Sequence, residues 1–280
     1  MKNIFQFEVM TTPCEVVIYH PSKEIAKNVA LEILNYAKEL EKKYNYFDPN
    51  SFVSALNNRS VVNLDPQTKD LLQKAQSFYT KTNKIFDITI ATMKDLYRFS
   101  QNVAQLDQKK EELKKFVGSE HFEIKKGKLY FDNPYTKIDL GGMVKEFAVD
   151  EAVKILEKRK IKSALINFGG DIFALGKKPD GEKFIVGIKN PVNPIEHIKT
   201  VVIENEALTT SANYERGYTI EERRFSHILH TNNLQEKIIS ATVIGTNTLV
   251  CGVYSTALMI DHELPHKQKT ILIDSQGTIQ

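Results

Sequence analysis

A change of apolar period along the chain limits its fold more than any other feature. Ile25, Val29, Ile33, Ala37, Leu40 and Tyr44 recur every three or four residues after Pro21 and Ser22, which is one face of a long helix given to core packing. Beyond residue 120 the pattern shortens to runs of a few apolar residues, and strands dominate. Residues 121–132 alternate across Lys126-Gly127 as a β-hairpin. Residues 137–159 read as a short strand, a turn through Gly141 and Gly142, and a helix through Val144, Ala148, Ala152 and Ile155. Residues 163–168 form a strand ending in Gly169-Gly170-Asp171, and 184–188, 200–203, 242–244 and 270–273 are further strands. Asn247 or Thr248 caps a helix running to Ile260.

In the first half, residues 5–19 read as one or two strands broken near Thr11, Thr12 and Pro13. Asp65-Pro66 is a cap and first-turn pair for a helix carrying Leu71, Leu72, Ala75, Phe78 and Tyr79 toward Thr82. The lysines of 107–117 read as a solvated helix face.

The 280 residues suit one large or two small domains, and 41% hydrophobic with 26% charged residues is ordinary globular composition. A balance of 38 basic against 35 acidic side chains leaves only +3, so charge implies no nucleic acid partner. Cys14 and Cys251 lack CxxC spacing and read as reduced, buried thiols. The opening MKNIFQFEVM is interrupted by Asn3, Gln6 and Glu8 and lacks a signal-peptide core, and no apolar run reaches the roughly 18 residues of a membrane span. A cytoplasmic protein is expected.

Several residues are candidates for chemistry. Gly141-Gly142 between strand and helix admits close backbone approach, and the following helix N-terminus suits a phosphate; a tight turn with no ligand explains the pair equally. Neither GxGxxG nor GxxxxGK[ST] occurs. Gly169-Gly170-Asp171 has the same two readings. Residues 85–89, 209–216 and 225–228 are polar segments that read as working loops. Asp87, between Phe86 and Ile88, is either a cap or a ligand acceptor. The seven histidines, His227 among them, show no HxH or HExxH spacing for zinc. Gly252 and Thr256 share a helix face, where the hydroxyl either coordinates magnesium or bonds the carbonyl four residues back.

In order and spacing these segments resemble the ApbE family of FAD:protein FMN transferases over nearly the whole chain. The resemblance rests on Met10-Thr11-Thr12, Phe47-Asp48-Pro49-Asn50-Ser51 with Leu56-Asn57, and Phe86-Asp87-Ile88-Thr89. It continues through Asp139-Leu140-Gly141-Gly142 with Lys145 and Ala148-Val149-Asp150, Asn167-Phe168-Gly169-Gly170-Asp171-Ile172, Thr210-Ser211 with Tyr214-Glu215-Arg216, His227-Ile228 and Ser255-Thr256-Ala257. It implies an α+β fold related to the T-fold, with antiparallel sheets and packed helices, as one domain over 1–280. It also implies magnesium-assisted transfer of FMN from FAD to a Thr or Ser of an acceptor flavoprotein, releasing AMP. Flavin contacts then map onto Met10, Phe47, Ile85, Phe86, Asp87, Gly141, Phe147 and Ile228. Metal positions map onto the Val144 carbonyl, Gly252 and Thr256, and the catalytic positions are His227 and Thr256.

The chain departs from that pattern at five places. Gly252 stands where the family's metal-binding aspartate is expected, and His230-Thr231 where an Asp-Pro pair is. Phe47 replaces a stacking tyrosine, Ala212-Asn213 a Gly-Asp pair, and Glu146 a glycine. Glu146 either supplies the missing carboxylate or faces solvent on the first helical turn. Two functional readings follow: a transferase with a rearranged site, or a flavin-nucleotide-binding protein of the same fold without transfer chemistry.

Overall fold

The structure is a computed structural model and describes every residue except 194, 215–216 and 232–236. In chain order its elements are β1 (Lys2–Val9), β2 (Thr12–Tyr19), α1 (Lys23–Tyr44), α2 (Phe52–Asn57), α3 (Pro66–Lys81), α4 (Ala91–Phe99), α5 (Val103–Lys114), β3 (Phe122–Lys125) and β4 (Lys128–Phe131). They continue with α6 (Val144–Lys158), β5 (Ala164–Phe168), β6 (Asp171–Leu175), β7 (Phe184–Lys189), β8 (His197–Ile203), β9 (Glu206–Ala212), β10 (Gly217–Ile220), β11 (Arg223–Ser226), β12 (Ile238–Gly245), α7 (Thr248–Ile260) and β13 (Lys269–Asp274). This is the expected α+β architecture.

A seven-stranded sheet in the order β1-β2-β5-β6-β9-β12-β13 carries the fold, and every neighbouring pair is antiparallel. Alternate side chains leave a strand on opposite faces. Phe173 and Leu175 of β6 therefore enter the main core beneath α1, α6 and α7, while Ile172 and Ala174 enter a second core closed by the β7–β8 hairpin. Covered on both faces, β6 is buried along its whole length. A third, smaller cluster joins Met93 and Tyr97 of α4 to Leu106 of α5 and Ile220 of β10. No helix among the described residues is long and apolar enough to cross a membrane.

Local rules place most boundaries. Ser22, Asp65 and Asn247 accept backbone N–H bonds from the first turns of α1, α3 and α7. Lys126 and Gly127, with φ of 49° and 73°, form the turn of the β3–β4 hairpin.

Four expectations are corrected. Ile25 is exposed, because α1 turns Ala26, Val29, Ala30 and Ile33 inward instead. Lys110 of α5 is buried beside Leu106, so the lysines of 107–117 are not uniformly solvated. Residues 137–140 form no strand: Asn57 bonds both backbone groups of Ile138 at 2.8 Å, and Asp139 N donates to Ile88 O. Residues 209–212 lie in β9 and 225–226 in β11, so each of these polar segments begins as strand.

Candidate active site

The loops at one end of the sheet gather most of the singled-out residues. Val9 pairs with Thr12 across a turn in which Met10 and Thr11 have φ of 53° and 54°. Phe168 pairs with Asp171 across Gly169 and Gly170, at φ of 59° and 95°. Since Cys14 pairs with Phe168, the two turns lie side by side, and a Cβ on Gly169 would overlap Thr12 Cγ2. Both the left-handed backbone and this approach require glycine there. The C-terminal end of β9 and the start of β12 meet at the same end, Ala212 opposite Ser240.

Helices α6 and α7 run antiparallel across the sheet and bring their own residues there. Asp150 of α6 accepts hydrogen bonds from Thr248 N at 2.8 Å and Leu249 N at 3.0 Å, capping α7. Burial raises the Asp150 pKa despite those bonds. One turn earlier on α6, Glu146 lies over Gly252 of α7: a Cβ on Gly252 would overlap Glu146 Cγ and stand 3.0 Å from Cδ and 3.1 Å from Oε1. Glu146 is only 8% exposed, which corrects the solvent-facing reading. Its Oε2 has no hydrogen-bond partner among the described residues. Lys145 pairs with Asp171, which is 2% exposed, and its Nζ is 3.6 Å from Glu146 Oε1.

Next to Gly252 is a set of hydroxyls. Ser255 Oγ donates to Gly252 O at 3.0 Å. Ser211 Oγ of β9 is 2.8 Å from Ser255 Oγ and 3.2 Å from Thr256 Oγ1. Thr256 thus meets β9 rather than the carbonyl one turn back.

The turn leading into α6 forms the other half of the site. Gly141 N donates to Asp139 Oδ1 at 2.8 Å, and Asp139 also pairs with Lys94 of α4. Lys94 Nζ is 4.6 Å from the Phe47 ring centre and Arg98 lies 5.1 Å from it, a cation on an aromatic face in each case. Phe47 is 51% exposed, an aromatic surface with both α4 cations against its ring. A Cβ on Gly142 would touch the Phe86 ring at 3.6 Å, so this turn rests on Phe86. Asp87 Oδ1 accepts from Thr89 N at 2.8 Å, Thr89 Oγ1 at 2.7 Å and Ser119 Oγ at 3.2 Å. Oδ1 of Asp87 therefore acts as a cap, and burial raises the Asp87 pKa against those bonds.

The remaining residues are less directly placed. Met10 N donates to Glu41 Oε1 at 2.7 Å, and Ile85 and Ile228 pack against the main core. Phe147 is buried, its ring 5.9 Å from Lys74 Nζ of α3. His227 is exposed beyond β11. Glu215 and Arg216 lie outside the described residues. Lys94 and Arg98 are additions that the sequence reading missed; a basic pair four residues apart on one helix face was their signal.

A sequence profile of the ApbE family matches residues 10–275. The chain belongs to the ApbE family. A FAD:protein FMN transferase of Vibrio cholerae serotype O1 is 22% identical over 87% of this chain and 76% of its own length. One from Salmonella typhimurium is 24% identical over 68% of this chain, which spans 58% of that relative. Among solved structures, the ApbE protein of Thermotoga maritima superposes with a TM-score of 0.87 at 23% identity, covering all of this chain and 96% of that one. The flavin transferase ApbE from Vibrio cholerae gives 0.85 at 20% identity, with coverage of 100% and 96%. At these identities the superpositions establish the ApbE fold.

Proposed function

We propose that this chain transfers the FMN half of FAD to a threonine or serine hydroxyl of an acceptor flavoprotein and releases AMP. Three observations support the reading: Phe47 with Lys94 and Arg98 against its ring, the Gly141 turn opening α6 and bonded to Asp139, and the Ser211–Ser255–Thr256 hydroxyls joining β9 to α7. An exposed aromatic suits a flat ring, and cations with a helix N-terminus suit a pyrophosphate. Met10, Ile85, Phe86, Phe147 and Ile228 complete the proposed flavin surroundings. With Oδ1 of Asp87 taken by three donors, Oδ2 is left to accept from a flavin N–H.

In the proposed reaction the acceptor oxygen attacks the flavin-side phosphorus. The phosphorus–oxygen bond to the AMP half breaks, and the hydroxyl proton passes to a base. His227, exposed just beyond β11, is the proposed base, an imidazole nitrogen being a suitable acceptor for that proton. The Val144 carbonyl, the Gly252 carbonyl and Thr256 offer only oxygen donors, and with the orphaned Glu146 Oε2 they fit a hard divalent cation. Bound there, Mg2+ would offset negative charge on the pyrophosphate.

A cytoplasmic location and a single domain over 1–280 belong to the same proposal. Cys14 and Cys251 are free and buried, with burial pushing the thiols up to about 11 and about 12, which suits reduced, unreactive groups.

A second reading, flavin-nucleotide binding without transfer, is favoured by Gly252 and His230-Thr231, where acids are expected. Titration with FAD, with and without Mg2+, followed by chromatography for AMP and FMN separates the two. Magnesium-dependent AMP release with FMN bound to an acceptor supports transfer. FAD bound and recovered intact in the presence of an acceptor supports the second reading, and no FAD binding refutes both.

A further inference from the structure

The α6–α7 crossing holds a charge imbalance. Lys145 faces two buried carboxylates, Asp171 and Glu146, and it is committed to Asp171. The Glu146 side chain is 11% exposed, Oε1 lies 3.6 Å from Lys145 Nζ, and Oε2 is buried with no hydrogen-bond partner among the described residues. A buried carboxylate left in that state is costly unless a cation joins it. The volume it occupies is the one that a side chain at position 252 would fill. The helix face below is lined with hard oxygens: Gly252 O, Ser255 Oγ and, one turn on, Thr256 Oγ1 bonded to Ser211. Cys251, the sulfur next to Gly252 in α7, lies against Gly245 instead.

We propose that Glu146 of α6 is the carboxylate ligand of a Mg2+ or Mn2+ site at the crossing with Gly252 and Thr256 of α7, doing from one helix what a side chain at 252 would do from the other. The inference rests on the transfer reading for the use of the ion, but not for its binding. Two buried carboxylates against one lysine leave a net charge of −1. A divalent cation turns that to +1, the sign that attracts a pyrophosphate. The glycine is then part of the site, because any side chain at 252 would displace the Glu146 carboxylate.

The test is Mn2+ binding to the flavin-free chain, read by loss of the free-ion EPR signal, with Mg2+ as competitor. Wild type, Glu146→Gln and the exchange Glu146→Gly/Gly252→Asp are compared. Loss of the one carboxylate is expected to weaken Mn2+ at least about tenfold, and returning an acid from α7 to restore affinity to within about threefold of wild type. Thermal stabilisation by MgCl2 should follow the same order, which checks the result independently and shows that each variant is folded. Glu146→Gln binding Mn2+ as tightly as wild type would overturn the proposal. So would a wild type that binds no Mn2+ with or without FAD. Mn2+ binding that depends on Glu146, in a chain that ignores FAD, would leave the ion site standing and refute the transferase. AMP release with Mn2+ affinity unchanged in Glu146→Gln would do the reverse.

Discussion

Gly252→Ala measures how closely Glu146 lies over α7, independently of any ligand. In a helix interior glycine is about 1 kcal/mol less favourable than alanine, so the substitution alone should stabilise. Here the new Cβ would overlap Glu146 Cγ and sit at 3.0 Å from Cδ, inside a contact where Glu146 is 8% exposed and has little room to move. Overpacking of this kind costs about 1–3 kcal/mol, so the net effect in wild type is between neutral and about 2 kcal/mol destabilising. With Glu146→Ala already made, the obstruction is gone, and Gly252→Ala should stabilise by the full ~1 kcal/mol. The coupling between the sites is therefore about 1–3 kcal/mol, or about 2–12 °C between the two changes in Tm at roughly 2–4 °C per kcal/mol. Circular dichroism melts and urea titrations of wild type, both single variants and the double variant complete the cycle. Equal stabilisation by Gly252→Ala in both backgrounds would refute the packing.

Asp65 should give a pH signature. Burial works to raise its pKa, but bonds from Lys43 and Thr68 outweigh this and lower it from 3.8 to about 2. A depressed folded value means that the contribution is present above pH 3.8 and is lost as pH falls toward 2. The stability gap between wild type and Asp65→Asn should therefore close across that window, by on the order of 1 kcal/mol after solvent screening of a carboxylate that is 37% exposed; a gap constant from pH 5 to pH 2 would contradict it. Phe47→Ala should weaken FAD binding about tenfold, the scale of a lost aromatic stack of ~1–3 kcal/mol, and unchanged affinity in isothermal titration would remove Phe47 from the flavin site.

What the sequence alone determined is local. The caps Ser22, Asp65 and Asn247 and the Lys126-Gly127 turn act through neighbours a few residues away, so the starts of α1, α3 and α7 and the β3–β4 hairpin were legible. The order of the family motifs carried the family and the fold. Tertiary structure decided which side of each element is buried. Ile25 fits the helical period yet is exposed, and Lys110 reads as solvated yet is buried, because neighbouring elements choose the inward arc. Thr210 looks like a loop residue, but its hydroxyl meets Thr242 at 2.9 Å inside the sheet, where one polar side chain satisfies another. Glu146 shows the difference most plainly. On the first turn of α6, local electrostatics are satisfied whether an acid points outward or inward. Only the crossing of α7 at a residue without a side chain opens the space that Glu146 fills, and that contact depends on the antiparallel packing of two helices distant in sequence.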